Sequence, residues 1–152
     1  MVEAGSPRYL TWEDVTAQLT WKDLQAWTGA NTVSRGKDYQ KDGLVHDLGI
    51  TSSGALIATV RDTLNNDTLV DVEDSSLTSR CTCMFMIGCK HAVATIIEFL
   101  KIIKQGAIAS VATDDDYRLS LLMKYLTLVS IIPIESQGNE NLRSWCIAYG
   151  KI

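Results

Sequence analysis

The stretch Cys81-Thr82-Cys83-Met84-Phe85-Met86-Ile87-Gly88-Cys89-Lys90-His91 gathers three of the chain's four cysteines and one of its two histidines into eleven positions. Cys81 and Cys83 stand at the end of a strand-like run and project to one side, where they can share a metal in a tight knuckle. Cys89 and His91 fall at the start of a helix-like run. Thiolate and imidazole are the donors that a borderline-soft dication takes, and four of them with no open position describe a structural zinc site. Free backbone N–H groups and the positive end of the helix dipole at that start favour the thiolate that zinc needs. The expected ligands are Cys81, Cys83, Cys89 and His91, and the expected cofactor is Zn2+.

Other uses of these residues stay open at this level. The four cysteines allow three disulfide pairings, but Cys81 and Cys83 have a single residue between them and each must find a reachable partner. They are also compatible with plain buried thiols. A catalytic zinc needs a vacant coordination position, whereas all four candidate ligands are side chains. A Cys89 or Cys81 nucleophile activated by His91 leaves the remaining clustered thiols without a role, and no oxyanion loop or orienting third group is readable nearby. No enzymatic activity is expected.

Working outward, residues 90–104 repeat apolar positions at Val93, Ile96, Ile97 and Leu100 with helical spacing and stop at Gly106. Upstream the period shortens to that of strands. Leu44 to Ile50, Ala55 to Arg61 and Asp67 to Glu73 are separated by Ser52-Ser53-Gly54 and Asn65-Asn66, both turn chemistry, and Leu77 to Arg80 delivers the chain to Cys81. Further back, Leu10 to Val15 and Leu19 to Leu24 repeat one pattern. Thr11 and Thr20 read as helix N-caps, with Asp14 and Asp23 in the positive first turn. The second of these helices should end at Gly29, and a third runs from about Thr32 to Asp42 and closes at Gly43. Beyond Gly106, residues 107–117 read as a linker ending in Asp114-Asp115-Asp116, and a helix is expected from about Asp116 to Leu128.

The expected fold class is α+β: short N-terminal helices, a small antiparallel β-meander of three or four strands, a zinc knuckle followed by a helix, and a helical C-terminal tail. Its core would draw on Leu48, Ile50, Leu56, Ala58, Val60, Leu69, Val93, Ile97 and Leu100. Residues 1–106 form the expected domain, with the finger at about 68–104, and residues 107–152 form linker and tail. With 152 residues, 46% of them hydrophobic and 21% charged, the chain fits one ordinary domain. Met1 to Arg8 is polar and is followed by Trp12-Glu13-Asp14, so no secretory leader is expected and a reducing cytoplasm is. Leu119 to Ile134 is interrupted by Lys124 and Pro133 and is shorter than the ~20 apolar residues of a membrane span.

Cys-x-Cys, a short spacer, Cys-x-His and an apolar helix resemble the SWIM zinc-finger family, and Cys89-Lys90-His91-Ala92-Val93-Ala94 is especially similar to its second half. The segment Ser34-Arg35-Gly36-Lys37-Asp38-Tyr39-Gln40-Lys41-Asp42-Gly43-Leu44-Val45 resembles what precedes the finger in bacterial members. The likeness spans roughly residues 20–106 and departs from the family at Met84, where many members have proline, and at Arg61-Asp62, which replace a glycine-containing turn. It implies a zinc-stabilised module that binds DNA or a protein partner. Such modules accompany bacterial helicase-type ATPases, plant transposase-related proteins and recombination-factor partners. The expectation is a module accessory to a DNA-processing ATPase or helicase, binding nucleic acid or protein, with no small-molecule substrate. The alternative is a protein–protein adaptor without nucleic-acid binding.

A net charge of −4 weighs against tight binding of duplex nucleic acid by the chain alone, since nonspecific affinity comes mostly from phosphate neutralisation. Three thiolates around a dication would add one further negative charge. Arg80, Phe85, Lys90 and Lys101 are the candidate contacts to nucleic acid or partner, and Lys90 also suits the offsetting of an anionic metal site. Arg35, Lys37 and Lys41 alternate with Asp38 and Asp42 and read as a solvated face. Trp12, Trp21 and Trp27 are expected to pack on the sheet, Met84, Phe85, Met86 and Ile87 to form an apolar loop tip, His46 to lie away from the cluster, and Cys146 to be a free thiol.

Overall fold

The computed structural model describes residues 11–73, 75–83 and 88–123. Three short helices open it: α1 (Trp12–Gln18), α2 (Trp21–Thr28) and α3 (Ala30–Lys41). Thr11 and Thr20 are the N-caps as expected, and each closes a reciprocal box with the aspartate three residues on. The Asp14 N–H donates to Thr11 Oγ1 at 3.3 Å while the Thr11 N–H donates to the Asp14 carboxylate at 3.0 Å. Asp23 and Thr20 repeat this at 3.2 and 2.9 Å, so two otherwise orphaned backbone donors are satisfied at each start. Gly29 ends α2 and Gly43 follows α3, both at positive φ.

Four strands follow as a meander: β1 (Val45–Ile50), β2 (Leu56–Arg61), β3 (Asn65–Glu73) and β4 (Ser76–Cys81). Neighbours pair antiparallel, and α4 (Lys90–Lys104) then crosses one face. Leu56 belongs to a core cluster with Val15, Leu24, Val33, Val70, Leu77, Ala92, Ile96 and Phe99, so α1 to α4 all pack on that side. Trp12 is fixed there by an edge-on contact with Phe99, ring centroids 5.5 Å apart, and by its indole N–H donating to the Gly54 carbonyl at 2.8 Å. Trp27 packs against the same cluster. Trp21 does not follow the expectation: it is half exposed, and Lys37 Nζ lies 3.9 Å from its ring centroid.

The architecture is α+β as read from the sequence, with the sheet larger than a meander. Residues 107–117, expected as a linker, contain β5 (Ser110–Val111), which pairs parallel to β1 and extends the order to β4-β3-β2-β1-β5. Residues 117–123 are helical, and Ala112, Leu119 and Leu122 pack with Ile57 and Leu69 on the face away from α4. A bulge in β1 between His46 and Gly49 holds Asp47 at φ 53° and turns its carbonyl to Arg118 Nη1, which donates at 2.8 Å. The buried Arg118 also grips Asp116 with Nε and Nη2 at 3.0 and 2.8 Å. β2 is consequently buried on both faces, which explains its near-continuous apolar run.

Of the expected core, Leu56, Ala58, Val60 and Val93 are fully buried, and Leu48, Ile50 and Leu100 flank the main cluster. Met84, Phe85, Met86, Ile87, Cys146 and the expected helix beyond residue 123 lie outside the described residues.

One close approach positions everything that follows. A Cβ at Gly36 would stand 2.5 Å from Val93 Cγ1 and 3.2 Å from the Ala94 backbone nitrogen, so α3 reaches α4 only through a residue without a side chain. Val93 is β-branched and stiff in a helix, and cannot rotate out of the way. Gly36→Ala should therefore destabilise the chain by on the order of 1–3 kcal/mol of overpacking, exceeding the ~1 kcal/mol that alanine gains in helix propensity. Urea unfolding of the two proteins measures the difference, and equal midpoints would contradict this packing.

Candidate metal centre

The knuckle is assembled by short-range constraints on both sides of the sequence gap between strand and helix. β4 ends on Cys81, opposite Thr68 of β3, whose Oγ1 lies 3.2 Å from the Cys81 sulfur. The next residue is clamped twice, because the Thr82 N–H donates to the Asp67 carbonyl and Thr82 Oγ1 accepts from the Asp67 N–H, each at 3.0 Å. Those two bonds turn the chain at once, and Cys83 follows in the turn. On the other side Gly88 adopts φ 59° and donates its N–H to Ser79 Oγ at 2.8 Å. A Cβ there would come within 2.7 Å of Thr28 Cγ2 at the end of α2, so the position requires glycine for conformation and for space.

Cys89 is the N-cap of α4, in the role usually taken by serine, threonine, asparagine or aspartate, and its sulfur accepts from the Ala92 N–H at 3.4 Å. His91 follows in the first turn. Its Nδ1 faces inward, 3.5 Å from Cys81 Sγ and 3.8 Å from Cys89 Sγ. The four donor atoms of Cys81, Cys83, Cys89 and His91 all lie within 4.8 Å of one another. Bond lengths of ~2.3 Å to sulfur and ~2.0 Å to nitrogen give a tetrahedral site S···N edges of ~3.5 Å, close to the 3.5 and 3.8 Å that separate His91 Nδ1 from the Cys81 and Cys89 sulfurs. Cys81, Cys89 and His91 are buried and Cys83 is partly exposed. The donor set thus fits a metal ion enclosed by four protein side chains.

Crowding of these groups shifts their protonation. Burial first, then hydrogen bonding with Cys83 and Cys89, pushes the Cys81 thiol up. Hydrogen bonds from Cys81 and Cys89 pull Cys83 far below the ordinary thiol range against the effect of burial. For His91, burial works to lower the pKa and is outweighed by the Cys83 and Cys89 sulfurs and by Asp62, which raise it to about 10. Without an ion the cluster thus biases Cys83 toward thiolate and His91 toward imidazolium.

Asp62 was not among the site residues expected from the sequence. It stands in the β2–β3 turn, and its Oδ2 is 3.0 Å from His91 Nε2. Tyr39 Oη donates to the same oxygen at 3.2 Å, the Leu64 N–H and Asn66 Nδ2 donate to Oδ1 at 3.1 and 3.0 Å, and Lys90 Nζ lies 4.0 Å away. Burial raises its pKa, and the His91 hydrogen bond, the Leu64 N–H and Tyr39 outweigh it, bringing the carboxyl down to about 2. The available signal was the Arg61-Asp62 pair, noted only as a departure from a glycine-containing turn.

Of the other expected contacts, Lys90, Lys101 and Arg80 contribute no donor to the cluster. Lys90 is engaged with Asp62 and lies 5.0 Å from the Tyr39 ring centroid. Lys101 is on the exposed side of α4 beside Glu98 at 3.9 Å. Arg80 precedes Cys81 on β4 and, by strand alternation, points to the opposite face. His46 pairs with Thr59 on β1, away from the cluster. No helix among the described residues is long and apolar enough to cross a membrane. Compared with family models, with curated proteins and with solved structures, the chain matches none.

Metal ligation requires deprotonated donors, so loading the site at neutral pH displaces protons from His91 and Cys81 and affinity should rise steeply with pH. Metal-stripped protein should behave differently. Stability from the depressed Asp62 is present above pH 3.8 and lost as pH falls toward 2, and the depressed Cys83 adds loss on the same acid side. Stability from the raised His91 is present below pH 6.5 and lost as pH rises toward 10. Between pH 6.5 and 9.0 the Cys83 and His91 contributions change in opposite directions and cancel. Chelator-treated protein should show a stability plateau there in urea titrations, falling on both sides, while metal release on acidification should begin well above pH 3.8.

Proposed function

We propose that the chain is a zinc-stabilised module of the SWIM kind, in which Cys81, Cys83, Cys89 and His91 hold one Zn2+ as a structural ion. The convergence of three sulfurs and one imidazole nitrogen within 4.8 Å carries the metal reading, while the SWIM likeness rests on the sequence resemblance alone. Zinc is favoured over harder cations because no oxygen donor belongs to the set, and over a catalytic role because the four side chains complete a tetrahedron. When bound, the ion would tie the end of the sheet to the start of α4. No step of chemistry is assigned to it.

The finer reading is a docking module that serves a DNA-processing ATPase or helicase by binding a protein partner. Charge supports protein over nucleic acid as the ligand. Arg61, Lys90, Lys101 and Arg118 are paired with Asp47, Asp62, Glu98 and Asp116, and Lys37 is engaged with Trp21. The net charge of −4 also weighs against tight phosphate binding by the chain as a whole. Nucleic-acid contact is the second reading and rests on the family resemblance.

Native mass spectrometry should find one zinc per chain, lost in Cys83→Ala and in His91→Ala. Because structural zinc contributes on the order of 10 kcal/mol of apparent folding free energy at neutral pH, either variant should lose the fold of the knuckle. A folded wild type that carries no metal and takes up none would overturn the zinc reading. Fluorescence anisotropy with single- and double-stranded DNA should show no binding even at low salt, and a salt-dependent DNA complex would replace the protein-docking reading by the nucleic-acid one.

A further inference from the structure

The four ligands account for the metal, but they leave unexplained why so many elements converge on the turn at Asp62. Its two oxygens receive hydrogen bonds from α3 through Tyr39, from the turn itself through Leu64, from β3 through Asn66, and face the outer nitrogen of His91 on α4. The turn is therefore a junction, and its one charged end points at a ligand.

We propose that Asp62 is the positioning residue of the metal centre: its carboxylate fixes His91 as the tautomer that carries the proton on Nε2 and presents a lone pair on Nδ1 to the ion. This inference rests on reading the cluster as a metal centre. An imidazole has two nitrogens and can rotate about its bond to the backbone. The Nε2···Oδ2 contact of 3.0 Å removes both freedoms, because the carboxylate accepts only from a protonated Nε2 and the ring plane is set by the line between them. An anion behind the ring also makes Nδ1 a stronger electron-pair donor.

Asp62 is itself held so that it cannot follow a loose ring. Leu64 and Asn66 occupy Oδ1, leaving Oδ2 to Tyr39 and His91. Tyr39 supports the arrangement twice, since its ring lies 5.7 Å from the His91 ring at 51° and its hydroxyl donates to the same carboxylate oxygen. That placement depends on the close approach of α3 to α4 at Gly36. Lys90 at 4.0 Å offsets the second negative charge that Asp62 would bring to an anionic thiolate centre.

The test compares full-length wild type, Asp62→Asn and Tyr39→Phe by zinc competition against a chromophoric chelator and by cobalt(II) absorption. Asp62→Asn keeps the size of the side chain and an oxygen acceptor for the turn while removing the charge. It should lose about 10–100-fold in zinc affinity. Its cobalt spectrum should retain the thiolate charge-transfer bands of the wild type, since the ligand set is unchanged, and it should lose more stability with zinc than in chelator, the excess matching the loss of zinc affinity. Affinity equal to wild type overturns the proposal, and so does an equal loss of stability with and without metal, which would make Asp62 merely structural. Wild type that binds neither zinc nor cobalt overturns the metal reading itself, a distinct failure. Should Asp62→Asn not fold, Tyr39→Phe decides: a smaller affinity loss in the same direction is expected, and wild-type affinity overturns the positioning role.

Discussion

Three sulfurs and a ring nitrogen crowded within 4.8 Å, mostly out of water, are an arrangement that a chain does not adopt for packing alone. Thiols bury well singly, but here burial pushes Cys81 up, hydrogen bonds among the sulfurs pull Cys83 down, and the sulfurs and Asp62 raise His91. A dication at their centre would resolve that conflict by replacing three competing proton equilibria with four bonds to one ion. The local backbone is organised to make the crowd possible. Thr82 is bonded twice to Asp67, Gly88 takes a left-handed turn against Thr28, and Cys89 serves at once as helix cap and donor.

Rigidity comes from the layers on either side. His91 sits in the first turn of α4, which is buried on all sides from His91 to Ile96, so the ligand cannot move without disturbing the core. On the far face of the sheet Arg118 ties the last described segment to Asp116, to the Asp47 carbonyl and, at 3.4 Å, to Thr59, which in turn donates to Asp67 at 2.9 Å. Asp67 is the residue whose backbone clamps Thr82. A path of buried polar contacts therefore runs from the segment after α4 through the sheet to the residue between the first two cysteines. Buried polar groups joined in this way specify geometry, because any slip leaves one of them unsatisfied.

What could be read from the sequence was what lies close together in it. The two threonine caps, the limits of α4 and the four clustered donors all depend on spacings of a few residues and stand where they are expected; the meander does too, except that its second turn falls at residues 62–64 while Asn65 and Asn66, expected as the turn, open β3. Asp62 is 29 residues from His91, and no periodicity marks a turn aspartate as the partner of a distant ring. β5 was read as linker because two residues carry no alternation to detect, and its parallel pairing with β1 is a property of the folded sheet. Gly36 carries no sequence signal of its own, since its value lies in the neighbour it admits. Trp21 followed its type and not its place, since its half-exposed ring is the seat of Lys37.

The same geometry limits how the module can recognise anything. A helix N-terminus beside a lysine invites a phosphate reading, because unpaired N–H groups and a positive dipole end attract anions. At the start of α4 that capacity is already spent on sulfur: the Ala92 N–H donates to the Cys89 sulfur, which takes the place an external anion would occupy. Lys90 is turned toward Asp62 and Tyr39. The electrostatics of the knuckle are directed inward, to its own ligands and their support. A partner, if the proposed docking role holds, would then meet surfaces that the centre holds in place and does not itself supply, which is the division of labour expected of a structural metal.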